Sequence, residues 1–454
     1  MKDTLDMPAG VPPAGLDAGE RRILAGWMLL AVGALPAPGL LALSLALARA
    51  PGAETWFPWP WASFFRTALV THVVMFFIVW LLAMLGGIAA MARPGGVSSR
   101  LGLAMATSGV ILLLAAALFH LGEPLLIDYV PVLSHPVFYS GLVLLALGVV
   151  LPVLHLLVKP PSWSVTLTTG IGTAGVVFLL ALICFTAAWL GFPAEARFGS
   201  NDAAIFWGGG HLLQIVNTLL LLTSWQALGE VSFQKAPLAQ PAWRAVCALM
   251  VASALPGPVF YGVWEAGAPE LRHAFTTLYW VALPLPTAVG GAALLWSLVR
   301  NRPQWGSPAY LALVTSFVIF TAGGVLGFFA DGTDTRTPGH YHAEIIGVTL
   351  ALMGMFFAVI LPTLTRGGKN RGAVLWQFWL LGGGQLMACI GLFIAGSQGV
   401  GRKIAGAEQG LDSLTKVLGM RLNEAGGGIA VIGGVLFVYI ALARLLARTP
   451  KAGK

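Results

Sequence analysis

Twelve apolar segments, each roughly 20 residues or longer, follow one another along this chain with only short polar breaks, and this pattern restricts the fold more than any other feature. They fall near residues 23–48, 68–92, 101–122, 134–159, 165–192, 203–229, 242–264, 271–298, 308–330, 340–363, 374–397 and 426–447. A helix needs about 20 residues to cross about 30 Å of hydrocarbon. Backbone polar groups in lipid must be paired within a helix or a closed barrel, and these runs lack the alternation of barrel strands. The fold class is therefore an all-α integral membrane protein, a bundle of twelve transmembrane helices. Hydrophobic residues make up 57% of the chain and charged residues 10%, against about 25% charged in ordinary globular proteins. A soluble fold and a disordered chain are both excluded.

Domain organisation then reduces to a tail at 1–22, a twelve-helix membrane domain at 23–447 and a second tail at 448–454. The first tail has Pro, Gly and both charge signs but no apolar core, so it reads as polar sequence and not as a cleaved signal. Of 26 Lys and Arg, 17 fall on the N-terminal tail, the even-numbered connections and the C-terminus. By the positive-inside rule both termini face the cytoplasm. The net charge of +8 thus encodes orientation, and no nucleic-acid site is read from it. The exception is the last outer connection, with Arg402, Lys403, Lys416 and Arg421, where anionic groups near the surface would explain the charge. Cys184, Cys247 and Cys389 each lie in apolar sequence and read as packing residues, without a disulfide framework or a CxxC metal knuckle.

Ionisable side chains inside membrane helices are costly and by default mark function. His72, His211, His340 and His342 come from the second, sixth and tenth segments and share one layer in the outer half. The alternative for each is an imidazole hydrogen-bonded within the bundle. His340 and His342 are the most informative: at about 100° per residue, positions two apart point about 200° apart. They cannot hold one metal from a regular helix, but each can serve a different cofactor. That is a two-haem arrangement, with His72 as second axial ligand of one haem and the other haem left open for a gas.

With these motifs the chain resembles subunit I of the haem-copper oxidase superfamily, and within it the B-family, or ba-type, oxidases. The resemblance rests on Asp128-Tyr129-Val130-Pro131-Val132-Leu133 with His135 and Phe138-Tyr139, on Phe206-Trp207-Gly208-Gly209-Gly210-His211, and on Pro338-Gly339-His340-Tyr341-His342. It implies that His72 and His342 ligate a low-spin haem, His340 a high-spin haem, and His211 a copper ion. Arg402 and Lys403 would lie over haem propionates. It also implies a bacterial or archaeal plasma membrane and, because the chain has no CxxCH motif or copper-binding domain, a separate electron-entry subunit such as a cupredoxin-like subunit II or a cytochrome c.

The chain departs from the family on the seventh segment, where two adjacent histidines would complete the copper site. Here Phe260 and Tyr261 stand in their place, and neither is a good copper ligand. The tyrosine that B-family oxidases carry one turn after the sixth-segment histidine is Ile215. Tyr261 reads as offsetting that loss, since the C-family carries its tyrosine on helix 7. Gln214, Glu265, Glu344 and His273 are the donors from which a second metal, copper or non-haem iron, would have to be rebuilt. Glu344, four residues after His340, reads either as a buried proton carrier or as a carboxyl bonded within the bundle. His120, Glu123, Asp128 and His155 read as loop or interface residues, His135 as a structural hydrogen-bonding group and Trp207 as packing.

The functional expectation is a respiratory oxidoreductase that passes electrons from the low-spin to the high-spin haem and reduces O2 or NO. A non-catalytic haem protein for electron transfer or gas sensing is the alternative. A transporter without haem is a weaker one, because it needs no such histidine spacing.

Overall fold

The computed structural model describes residues 16–50, 61–159, 166–364 and 370–447; most of the first tail, residues 1–15, and the second, 448–454, lie outside the described residues. Among the described residues, twelve helices long and apolar enough to cross a membrane follow in sequence. They are α1 (Ala18–Arg49), α2 (Phe64–Ala92), α3 (Gly96–Leu118), α4 (Pro136–Val158), α5 (Thr166–Leu190), α6 (Asp202–Phe233), α7 (Gln240–Val263), α8 (Pro269–Arg300), α9 (Pro308–Gly327), α10 (Arg336–Thr363), α11 (Arg371–Ser397) and α12 (Leu414–Leu446).

The helix boundaries follow local chemistry. Asp17 and Glu20 form a reciprocal capping box at the start of α1, which pairs backbone donors that the first turn leaves free. His135 caps α4, its Nδ1 accepting from the Val137 amide at 3.2 Å, which is the structural role read for it. Prolines interrupt α1 at Pro36, α7 at Pro256 and α8 at Pro284. Each lacks the amide that would continue the ladder. In α2 a π-helical stretch, Val74–Val79, begins two residues after His72, a distortion frequent at functional sites.

Two observations correct the sequence reading. Helix α12 begins at Leu414, about three turns before the expected 426, with Ser413 capping it by accepting from the Lys416 amide. Polar residues such as Lys416, Arg421 and Glu424 lower the local hydropathy, so an apolar-window reading starts too late. The bundle also carries a small antiparallel hairpin between α3 and α4, strands β1 (Glu123–Leu125) and β2 (Val132–Ser134), with Glu123 opposite Ser134. Three-residue strands are too short to show a period of two in sequence.

Helices α11 and α12 pack through glycines at seven-residue spacing; a β-carbon on Gly426 would stand 2.4 Å from the Ala388 amide nitrogen. Small residues of this kind let membrane helices approach closely where no hydrophobic drive exists. Helices α2, α6 and α10 occupy the centre, with 89, 78 and 83% of their apolar windows buried, whereas α7 and α8 lie at the periphery with 28 and 22%. The helices that carry His72, His211, His340 and His342 are therefore the central ones.

Candidate functional site

The site is assembled at the hairpin end of the bundle. His72, near the start of α2, directs Nδ1 at the Pro38 carbonyl of α1, 2.9 Å away. His342 directs Nδ1 at the Pro338 carbonyl one turn earlier, 2.7 Å. His340 directs Nδ1 at the Gly323 carbonyl of α9, 2.8 Å. A backbone carbonyl only accepts, so each Nδ1 carries the proton and each Nε2 keeps its lone pair. This is the tautomer that a metal-ligating histidine adopts when its second nitrogen is oriented by a carbonyl. His72 and His342 lie within electrostatic reach of one another. The two histidines of the His-x-His motif do diverge, His342 toward α2 and His340 toward α9.

The His340 ring lies over Gly327 of α9, where a β-carbon would come within 2.8 Å of Nδ1. Glu344, on the same face of α10, brings Oε2 to 3.7 Å from His340 Nε2. Tyr279 of α8 lies within electrostatic reach of both Glu344 and Tyr129.

His211 is held differently. Its Nδ1 bonds the Trp207 carbonyl at 2.8 Å, but its Nε2 meets the Tyr129 hydroxyl at 3.0 Å. Trp207, Phe275 and Tyr279 complete an aromatic box, with ring centroids 4.8, 5.9 and 5.9 Å from the imidazole. Trp207 is itself covered by the Arg272 guanidinium at 4.3 Å and donates Nε1–H to the Arg272 carbonyl at 3.2 Å. Tyr261 stands one ring away from His211, behind Phe275, with its hydroxyl against Gly208. Phe260 packs edge-on to Phe275 at 5.2 Å.

The donors named for a rebuilt second metal do not converge. Glu265 and His273 are exposed, with His273 on an outward-facing groove of α7 and α8, and Gln214 bonds the Gly210 carbonyl at 3.4 Å within its own helix. Among the described residues no group of three His, Cys, Asp or Glu is placed to hold a metal.

Arg402 and Lys403 come to the same end of the bundle and share one carboxylate. Lys403 Nζ donates to Asp128 Oδ1 at 2.9 Å and to the Leu126 carbonyl, and an Arg402 guanidinium nitrogen stands 3.3 Å from Oδ1. Burial pushes the Asp128 carboxyl up, but the Lys403 and Arg402 cations outweigh it and hold it below its ordinary value. Two cations against one carboxylate leave a net positive charge there. Lys416 and Arg421 pair locally, with Asp412 at 2.8 Å and Glu424 at 3.0 Å.

Sequence reasoning missed two residues of this site. Tyr129 had a signal, the run Gly208-Gly209-Gly210 before His211: three glycines cost a helix about 1 kcal/mol each relative to Ala in water, and a run of them marks a close approach. A β-carbon on Gly210 would stand 2.5 Å from the Tyr129 β-carbon. Tyr279 had none, because nothing local distinguishes it from the other aromatics of α8.

The comparisons with known proteins agree with this architecture. The family described as "Cytochrome C and Quinol oxidase polypeptide I" matches residues 22–430. Two relatives are an uncharacterised protein of Aquifex aeolicus (strain VF5), 29% identical and covering 73% of this chain and 83% of its own length, and an uncharacterised protein of Rickettsia prowazekii (strain Madrid E), 22% identical and covering 91% and 94%. Among solved structures, the cryo-EM structure of a heme-copper terminal oxidase dimer superposes with a TM-score of 0.76 at 18% identity, over 96% of this chain and 86% of that one. The chain belongs to the haem-copper oxidase subunit I superfamily, and its fold is that of subunit I. The family implies a membrane-embedded respiratory oxidoreductase with haem as cofactor. The residues present fit haem, because three imidazoles in the central helices have Nδ1 anchored and Nε2 free of a protein hydrogen bond. They do not fit the family's copper, because among the described residues no two further His, Cys, Asp or Glu side chains join His211 in a group that could hold a metal.

Proposed function

We propose that this chain is a di-haem respiratory oxidoreductase subunit that reduces O2 or NO. His72 and His342 would hold a low-spin haem, and His340 a high-spin haem with one open position. The observation that carries this reading is the common anchoring of the three Nδ1 atoms on backbone carbonyls at 2.7–2.9 Å, which fixes the ligating tautomer before any metal arrives. Bound there, the pair of haems would supply one-electron transfer between irons and an open iron site for the gas.

The chain's own residues do the rest. Arg402 and Lys403, with one positive charge in excess of Asp128, receive the anionic propionates. Glu344, 3.7 Å from His340, carries protons at that side of the pocket. Tyr261 is a second proton-bearing group, one ring removed from His211. The hairpin end faces outward and both termini face the cytoplasm of a bacterial or archaeal cell. Electrons enter at the hairpin end from a cupredoxin-like subunit or a cytochrome c.

The test is the reduced pyridine haem count of the purified chain, read with its turnover of O2 and NO from an artificial donor. Two haems per chain with turnover of either gas support the reading. Two haems that bind CO reversibly without turnover of either gas select the second reading, a non-catalytic haem protein for electron transfer or gas sensing. The capped Nε2 of His211 favours that second reading.

A further inference from the structure

We infer that His211 is not a metal ligand in this chain but the hydrogen-bond acceptor of Tyr129, and that a phenol–imidazole pair replaces the second metal as the polar wall of the gas pocket. The inference rests on the reading that His340 holds a haem. An imidazole offers a metal one lone pair at a time. The Nδ1 of His211 faces the Trp207 carbonyl at 2.8 Å and so carries its proton. Only the Nε2 lone pair is left, and the Tyr129 hydroxyl faces it at 3.0 Å.

Tyr129 is held in this position by its surroundings. Its backbone is left-handed, φ +67°, a conformation that costs a non-glycine residue on the order of 1 kcal/mol and persists where the surroundings enforce it. Asp128, the residue before it, is clamped by Lys403 and Arg402, and the β1–β2 ladder closes the loop on both sides. Gly210 then leaves the space that the tyrosine ring fills. Around the pair the wall is aromatic: Trp207, Phe275 and Tyr279. Phe260 backs Phe275 where the family resemblance places a histidine. Tyr279, in this wall, also lies within electrostatic reach of Glu344.

The experiment is metal analysis of the full-length protein, purified in detergent after growth in copper-supplemented medium, together with the C–O stretching band of its reduced CO adduct. Wild type is expected to hold iron equal to its haem content and no stoichiometric copper, and His211→Ala to leave copper and non-haem iron unchanged. Tyr129→Phe, which keeps the ring, is expected to shift the C–O band, and His211→Ala to shift it without a further change in the double variant, because the two act as one unit. One copper or non-haem iron per chain that disappears in His211→Ala would overturn the inference, as would a C–O band identical in wild type and Tyr129→Phe. Wild-type metal content decides the question even where a variant does not fold. A wild-type chain without haem sinks the functional reading instead, and its copper count still decides the role of His211.

Discussion

The central helices and the peripheral helices of this bundle carry different chemistry. Helices α2, α6 and α10 bury their apolar windows and hold His72, His211, His340 and His342; α7 and α8 bury only 28 and 22% of theirs, and these two helices with the connection between them hold Phe260, Tyr261, Glu265 and His273. A polar group in the centre has no water to fall back on, so each imidazole there is tied to a carbonyl and, at His211, to a phenol as well. On the periphery the buried side chains are apolar, such as Trp243, Met250, Leu271 and Phe275, and Glu265 and His273 are exposed. The difference teaches that burial fixes the imidazoles of the central helices on carbonyl partners, whereas the outer helices place aromatic rings, Phe275 and Tyr279, beside His211.

The sharpest way to break that comparison is to remove a central imidazole. His342→Ala or His72→Ala is expected to halve the haem content in the pyridine assay, and His340→Ala to abolish CO binding while the low-spin spectrum persists. Unchanged spectra in all three would end the assignment of the central layer. Next in size is Gly210→Val, which forces a side chain into the space of Tyr129; overpacking of this kind costs about 1–3 kcal/mol, read as a lower melting temperature in detergent and a displaced C–O band.

Asp128→Asn tests the clamp and is expected to cost about 1 kcal/mol or less, because the pair is partly exposed and screened. Its pH dependence has a definite sign. A carboxyl held below its ordinary value of 3.8 contributes stability that is fully present above that value and is lost as the pH falls through the lower, folded-state value. The wild-type advantage over Asp128→Asn should therefore be constant from pH 8 to pH 5 and vanish only below about pH 4. A difference that fades between pH 7 and 6 would point to a histidine instead. Smallest of all, Glu265→Gln and His273→Ala, on exposed positions, should leave metal content unchanged and stability within about 0.5 kcal/mol; loss of a bound metal in either would restore α7 and α8 to the site.

Much of the central layer was legible. The His-x-His spacing gave two divergent imidazoles, and the structure turns them toward α2 and α9. Glu344 was placed beside His340 by helical periodicity alone. Two signals were missed or read too late: the polar first turns of α12, which hydropathy disguised as loop, and the role of Tyr129, which lies 82 residues from the imidazole it meets. Charge on the wrong side singles out Arg402 and Lys403, but their partner Asp128 lies about 275 residues away, and nothing local in the sequence pairs it with them.

The sequence by itself determined twelve membrane-spanning segments and placed His72, His211, His340 and His342 on the second, sixth and tenth of them, because hydropathy and helical period are properties of neighbouring residues and add up along a window. Only the tertiary structure decided which nitrogen of each histidine is free. That choice is made by a carbonyl or a hydroxyl delivered from elsewhere in the chain, and here it leaves three imidazoles open to haem and closes the fourth with Tyr129.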